Sequence, residues 1–121
     1  SKAKRQILLV EDEAQVRMFL TRALTHFGFD VVGCEDARGA LDFFRPEQTK
    51  LVITDCNLPG LTGTDLINMI LREHPEVPII GMSAQHFNGP PMIEAGAVAF
   101  LPKPVEMVDL RAAVDRWLIK A

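Results

Sequence analysis

The chain has 121 residues, 48% of them hydrophobic, and its 13 Lys and Arg against 16 Asp and Glu leave a formal charge of −3. This length is typical of one domain, expected over residues 1–121, with a core large enough to fold without disulfides or a structural metal. The mild acidic balance excludes the broad basic surface that direct contact with nucleic acid requires. The two cysteines permit one disulfide at most and demand none.

Neither a membrane span nor a signal peptide is predicted. The longest stretch without Asp, Glu, Lys or Arg covers residues 77–93, and it contains three prolines together with Asn, Gln and His. The apolar run at residues 7–10 is too short for a signal peptide. We therefore expect a protein of the reducing cytoplasm that contacts no membrane.

Short apolar runs alternate along the chain with longer stretches of helical period. In chain order, the pattern predicts a strand at 6–10, a helix at 13–27, a strand at 30–34, a helix at 37–44, a strand at 50–54, a helix at 63–74, a strand at 77–82, a short helix at 91–95, a strand at 97–101 and a last helix after Pro104. Gly28, Pro46 and Pro75 follow the first three helices, and both residue types end helices.

This alternation predicts an α/β domain built on a parallel sheet. The first and third runs are apolar without alternation, which is typical of parallel strands covered on both faces. Helices then lie on both faces of an open sheet, and ligands bind beyond the carboxyl ends of its strands. If the strand order is 2-1-3-4-5, the four strands that end in distinctive polar residues are neighbours and share one crevice.

The polar residues at those strand ends suit one kind of chemistry. They are Glu11 and Asp12 after the first strand, Asp55 after the third, Ser83 after the fourth and Lys103 after the fifth. Adjacent carboxylates repel one another unless a cation compensates, and Mg²⁺ is a hard cation that carboxylates and phosphate oxygens share. A hydroxyl and an ammonium group hold phosphate oxygens. The set favours phosphoryl transfer to an aspartate.

Four segments carry a resemblance to a known family: ILLVEDE (7–13), LVITDCNLPGLTG (51–63), IIGMSA (79–84) and FLPKP (100–104). In this order and spacing they resemble the receiver domain of bacterial two-component response regulators, the CheY-like family. The resemblance covers nearly the whole chain. It implies a flavodoxin-like doubly wound fold, with a five-stranded parallel sheet in the order 2-1-3-4-5 and about five helices.

The resemblance also implies a metal site around a phosphoryl acceptor. Asp55 matches the acceptor, and Asp12, Asp55 and the backbone carbonyl of Asn57 match the ligands of Mg²⁺. Glu11 holds the second acidic position and is expected to act through water. It departs from the commoner aspartate, and its longer side chain is expected to alter the affinity for the metal.

Further positions match the residues that respond to phosphorylation. Ser83 stands where the family has the Thr or Ser that turns toward the phosphoryl group, and Lys103 is the residue that pairs with it. Phe100 fills the aromatic switch position, although an apolar ring there also suits a residue of the core. The bond between Lys103 and Pro104 resembles the cis peptide of the family.

By the same resemblance, the function is phosphorelay signalling. A sensor histidine kinase or a histidine phosphotransfer protein would donate the phosphoryl group, and the altered surface would control an unknown output protein or domain. The domain would be no enzyme beyond its self-catalysed phosphorylation and dephosphorylation. Asn57 and Gln85, two residues after Asp55 and Ser83, hold positions where family members tune the phosphoryl lifetime.

The fourth helix departs from the family pattern. Only 13 steps separate Ser83 from Gly96, and Asn88-Gly89-Pro90-Pro91 interrupts the helical period. A proline is tolerated in a first helical turn, so we expect a helix that is short, displaced or mobile. Many members of the family use the surface of the fourth helix, fifth strand and fifth helix to dimerise or to dock outputs. We therefore hypothesise that the usual phosphorylation-dependent dimer is weakened or replaced.

Three alternatives stand beside this interpretation. A haloacid-dehalogenase-type phosphatase would carry a second aspartate where Asn57 stands, and the chain is short for a substrate cap. A flavin or nucleotide binder would need a glycine-rich first loop, whereas residues 11–13 are all acidic. A receiver-like docking module that works without phosphorylation would not need the acceptor, metal and lysine positions that this chain retains.

Overall fold

The computed structural model describes residues 5–118 and contains a five-stranded parallel sheet in the order β2-β1-β3-β4-β5. Its strands are β1 (Gln6–Val10), β2 (Asp30–Cys34), β3 (Thr49–Asp55), β4 (Ile79–Ser83) and β5 (Ala99–Pro102). Its helices are α1 (Ala14–His26), α2 (Ala37–Phe43), α3 (Gly63–Glu73), α4 (Gly89–Ala95) and α5 (Met107–Trp117). The predicted fold and strand order are confirmed. Within residues 5–118, no helix combines the length and the apolar character needed to cross a bilayer.

The central strands are buried on both faces, and this explains why their sequences are apolar without alternation. Successive residues of β1 point to opposite sides: Ile7 and Leu9 pack with α1 and α5, whereas Leu8 and Val10 pack with α2, α3 and α4. All four are fully buried. The sheet therefore separates two hydrophobic cores, and its strand ends supply the polar surface.

Two strands begin two residues later than the sequence pattern predicts. Val77 and Ala97 are apolar and buried, which made them resemble strand residues. Their backbone amides instead donate to carbonyls of the preceding helical regions, Val77 to His74 at the end of α3 and Ala97 to Met92 within α4. Both residues therefore belong to the helix-to-strand connections, and the sheet pairing starts after them.

The fourth helix is short, as expected, but it begins at Gly89, earlier than the predicted residue 91. A single turn of 3₁₀ helix, His86–Asn88, precedes it. Pro90 and Pro91 both lie in the first turn of α4, where backbone amides have no acceptor within the helix, so two prolines remove no helical hydrogen bond. The predicted start at residue 91, which left Pro90 outside the helix, is therefore wrong.

Candidate functional site

The carboxyl ends of β1, β3, β4 and β5 meet at one edge of the sheet. Asp55 and Ser83 are the last residues of β3 and β4, and Glu11 and Asp12 directly follow β1. Lys103 follows β5, and its backbone amide donates to the Ser83 carbonyl at 2.9 Å. The peptide bond between Lys103 and Pro104 is cis, as the resemblance implied. The structure thus brings these five predicted site residues to one place.

A buried ion-pair network forms the centre of this edge. The Lys103 ammonium lies 2.7 Å from Asp55 Oδ2 and also pairs with Glu11 Oε1. Glu11 is 0% exposed and Asp55 is 5% exposed, so both carboxylates are largely removed from water. Asp12 is exposed beside them. One lysine therefore compensates two carboxylates whose charges would otherwise be expensive to bury.

Burial and pairing act in opposite directions on the ionisation of this network. Burial raises the pKa of Glu11 above its ordinary value, although the ion pair with Lys103 opposes the rise. Burial alone would lower the pKa of Lys103, but its bonds with Asp55 and Glu11 outweigh that effect and raise the pKa. The lysine consequently stays charged at neutral pH.

Backbone contacts hold the acidic loop after β1 in place. Glu11 Oε2 accepts a hydrogen bond from the Glu13 amide at 3.0 Å, and Arg17 Nη1 donates to the Glu11 carbonyl at 2.6 Å. A Cβ at Gly33 in β2 would lie 3.3 Å from Arg17 Cδ, so the missing side chain gives Arg17 its path. Sequence analysis missed Arg17. Gly33, a glycine inside a predicted strand, was the sequence signal for it, because such a glycine often marks a place where another part of the protein approaches the strand backbone closely.

The acidic cluster has the composition of a magnesium site. Glu11, Asp12 and Asp55 each offer a carboxylate oxygen, and these oxygens lie within 4.8 Å of one another. The backbone amide of Asn57 donates to Asp55 Oδ1 at 3.3 Å. Asn57, whose backbone carbonyl is the predicted ligand, therefore lies on the loop beside the carboxylates. Oxygen donors on separate loops suit a cation that binds few carboxylates and keeps waters. The residues present therefore fit Mg²⁺.

A second, uncharged network surrounds Ser83. Its Oγ accepts hydrogen bonds from the Gln85 amide at 3.1 Å and from Asn88 Nδ2 at 2.9 Å, and it donates to Gln85 Oε1 at 3.2 Å. Asn57 Nδ2 donates to the same Gln85 oxygen at 3.2 Å. The two predicted lifetime residues thus contact each other. Asn88 was not predicted, because nothing in the sequence pattern pairs it with Ser83.

Phe100 lies outside both networks. It is half-buried in β5, and its ring packs against the start of α4, where a Cβ at Gly89 would lie 3.2 Å from Phe100 Cδ2. Its position between the sheet and α4 suits both a core residue and a switch.

The two cysteines are free thiols. Cys34 is buried, and burial raises its pKa to about 11. Burial also raises the pKa of half-buried Cys56, which follows Asp55. A raised pKa disfavours the reactive thiolate, so neither residue has the properties of a nucleophile.

The geometry agrees with the comparisons to known proteins. Residues 7–115 match the family of the response regulator receiver domain. The chain is 35% identical over 114 residues to the DNA-binding transcriptional regulator NtrC of Azospirillum brasilense, covering 93% of this chain and 24% of that protein. It is 34% identical over 116 residues to the luminescence regulatory protein LuxO of Vibrio campbellii, covering 93% and 25%. The chain thus spans about a quarter of the length of these curated relatives.

Solved structures are similar as well. The non-phosphorylated HemR receiver domain from Leptospira biflexa is 29% identical with a TM-score of 0.86, and 98% of each chain is covered. The receiver domain of NtrX from Brucella abortus is 29% identical with a TM-score of 0.87, covering 95% of this chain and 99% of that one. The chain belongs to the response regulator receiver domain family.

Membership defines the class of function. The chain is a receiver domain of two-component response regulators, which are phosphorelay signalling proteins, so that prediction is confirmed. Receiver domains are signalling domains and not classical enzymes, and the phosphatase alternative is not favoured. Receiver domains generally bind Mg²⁺ at an acidic pocket, and Glu11, Asp12 and Asp55 form such a cluster.

Proposed function

We propose that residues 1–121 form a single receiver domain that accepts a phosphoryl group on Asp55. The donor would be a sensor histidine kinase or a histidine phosphotransfer protein. The observation that carries this proposal is the Asp55 carboxylate itself, which ends a buried strand 2.7 Å from the Lys103 ammonium and beside two further carboxylates. Charges of both signs at one edge of the sheet suit a phosphoryl acceptor.

The transfer is a substitution at phosphorus. A carboxylate oxygen of Asp55 forms the new bond to phosphorus while the bond to the donor imidazole nitrogen breaks, and that nitrogen keeps the bonding electron pair. Lys103 lies beside the Asp55 carboxylate and supplies a positive charge where the phosphoryl oxygens arrive. The acceptor domain thus carries the groups that catalyse its own phosphorylation.

Mg²⁺ would be held by Asp12, Asp55 and the Asn57 carbonyl, with Glu11 acting through water. When bound, it supplies the positive charge that offsets the phosphoryl oxygens. The exposed position of Asp12 supports this assignment, because its carboxylate is open to a hydrated ion. Glu11 already pairs with Lys103, which supports an indirect role for it.

Ser83 and Lys103 then respond to the new phosphoryl group. Lys103 exchanges a carboxylate oxygen for a phosphoryl oxygen, and the Ser83 hydroxyl turns toward the same group. Phe100 follows as its surroundings change, and the altered surface acts on the output. Asn57 and Gln85 carry no carboxylate, so neither serves as a general base for hydrolysis, and they set the phosphoryl lifetime by occupying the approach of water.

The proposal extends to partners and location. The output would be a separate protein or a domain outside residues 1–121. The formal charge of −3 gives this domain no broad basic surface, which supports an output without direct contact between this domain and nucleic acid. The short α4 supports a phosphorylation-dependent dimer that is weaker than usual or uses another surface. We place the domain in the cytoplasm, with the proposed phosphodonors.

The test is the intact mass of the protein after incubation with acetyl phosphate. We expect one phosphoryl adduct that requires Mg²⁺ and is absent from Asp55→Asn. Asp109→Asn, which changes an exposed aspartate on α5, is the matched control and should retain the adduct. If no adduct accumulates, binding of beryllofluoride distinguishes a short-lived phosphate from an inactive site. Failure of both experiments would favour the docking module that works without phosphorylation.

A further inference from the structure

The Ser83 hydroxyl has all of its hydrogen-bonding capacity in use. A hydroxyl group donates once and accepts twice. Within residues 5–118, Ser83 Oγ donates to Gln85 Oε1 at 3.2 Å. It accepts from the backbone amide of Gln85 at 3.1 Å and from Asn88 Nδ2 at 2.9 Å. All three partners belong to the segment that connects β4 to α4. A phosphoryl oxygen on Asp55 would take the hydrogen that Ser83 now donates to Gln85, and rotation of the Ser83 side chain toward Asp55 would move its Oγ away from Asn88 Nδ2.

No capping bond holds the Asn88 side chain at the start of α4, because two prolines follow it in the first turn of the helix. Asn88 is the N-cap of the helix, a position where an asparagine side chain ordinarily accepts from a backbone amide two or three residues on. Those residues are Pro90 and Pro91, and proline has no amide hydrogen. The Asn88 Oδ1 accordingly accepts no capping bond, and the side chain is held by its Nδ2, which donates to Ser83.

Asn88 is also joined directly to the packed beginning of α4. The next residue, Gly89, is buried under the Phe100 ring, where a Cβ would lie only 3.2 Å from Phe100 Cδ2. Met92, one turn further, is fully buried over Gly81, whose Cβ would lie 2.6 Å from Met92 Sδ. A displacement of Asn88 therefore changes the contact between Gly89 and Phe100.

We propose that Asn88 is a positioning residue that holds the Ser83 hydroxyl in the unphosphorylated form and couples its release to the start of α4 and to Phe100. The inference rests on the proposed function, because it concerns the state that Ser83 leaves when Asp55 is phosphorylated. Asn88 opposes activation, and the bond that it loses is the physical link between the site and α4.

The test is a titration with beryllofluoride in saturating Mg²⁺, followed by the backbone amide resonances of Gly89 and Gly96. Asn88→Ala removes a hydrogen bond that competes with the bound state, so we expect the half-saturating concentration to fall about fivefold, the value of one net neutral hydrogen bond. His86→Ala, in the same 3₁₀ turn and exposed, is the matched control and should leave it unchanged.

A double-mutant cycle separates this link from a general loosening of the segment. In a Ser83→Ala background the bond from Asn88 has no acceptor hydroxyl, so Asn88→Ala should then change the half-saturating concentration less than about 1.5-fold, within the usual tolerance of additivity. An equal shift in both backgrounds would overturn the proposal. So would unchanged or weaker binding by Asn88→Ala in the otherwise native chain.

The outcomes also separate this inference from the proposed function. If the native chain binds beryllofluoride and the Asn88→Ala chain binds it equally well, only the role of Asn88 is wrong. If the native chain neither binds beryllofluoride nor forms a phosphoryl adduct, the proposed function is wrong and the inference is overturned with it.

Discussion

The edge of the sheet that carries the site has two unlike halves. The charged half consists of Glu11, Asp55 and Lys103, whose side chains are nearly buried and form two ion pairs. The neutral half consists of Ser83 with Gln85, Asn57 and Asn88, which are joined by hydrogen bonds of 2.9 to 3.2 Å, and both Gln85 and Asn57 are exposed. The halves meet where Asn57 donates to Asp55.

This difference indicates which half can rearrange at low cost. Removing one member of a buried ion pair leaves an uncompensated charge, so the charged half resists change. A neutral hydrogen bond contributes little net free energy compared with a buried ion pair, so the neutral half can change partners at lower cost. The charged half therefore fixes where a phosphoryl group is held, and the neutral half transmits its arrival.

The strongest way to break the charged half is through its backbone. Gly63 begins α3, and a Cβ there would lie 2.1 Å from the Asp55 carbonyl oxygen and 2.9 Å from Cys56 Cα. Because both are backbone atoms, Gly63→Ala must displace the end of β3. We expect the free energy of unfolding to fall by about 3 kcal/mol or more, measured by urea denaturation, and the phosphoryl adduct to be lost.

The matched control is Asn68→Ala, which adds helix propensity at an exposed position of α3. It should leave stability and phosphorylation nearly unchanged. If the free energy of unfolding of Gly63→Ala lies within about 1 kcal/mol of the native value, the end of β3 adjusts at low cost and the prediction is wrong.

Removing the cation of the charged half should have the next largest effect. Lys103→Met keeps the aliphatic stem but leaves Glu11 and Asp55 without their shared partner. We expect a loss of about 3 kcal/mol in the free energy of unfolding, the lower end for breaking a buried pair, because the lysine side chain is 14% exposed. Adding Glu11→Gln should recover part of the loss, since one buried charge is then gone. No recovery would indicate that the loss reflects packing alone.

The charged half was largely predictable from the sequence. Parallel strands end at one edge, so residues that directly follow apolar strands had to meet there, and Asp55 and Lys103 do so across 48 residues of sequence. These residues could be predicted because their positions depend only on strand order and strand direction.

The contacts of Arg17 and Asn88 could not be predicted from strand order and direction. Each contacts a strand-end residue from five or six positions further along the chain, Arg17 from α1 and Asn88 from the turn before α4. Whether such a side chain folds back depends on turn geometry, which hydrophobic periodicity does not encode. The consecutive prolines predicted a short helix, but they did not reveal that the preceding asparagine would bond to Ser83.

The smallest expected effect on stability tests the neutral half. Gln85→Ala removes the acceptor shared by Ser83 and Asn57, yet Gln85 is exposed, so water replaces its bonds. We expect the free energy of unfolding to change by less than about 1 kcal/mol, clearly below the loss in Lys103→Met.

The same change should alter the phosphoryl lifetime, because the Gln85 side chain lies beside Ser83 and Asn57 on the proposed approach of water. We expect the adduct to decay several-fold faster than in the native chain or in His86→Ala, followed by intact mass after removal of acetyl phosphate. A large loss of stability in Gln85→Ala would contradict the division into two halves. An unchanged decay with unchanged stability would instead remove Gln85 from the control of hydrolysis and leave Asn57 as the residue that shields the phosphoryl group.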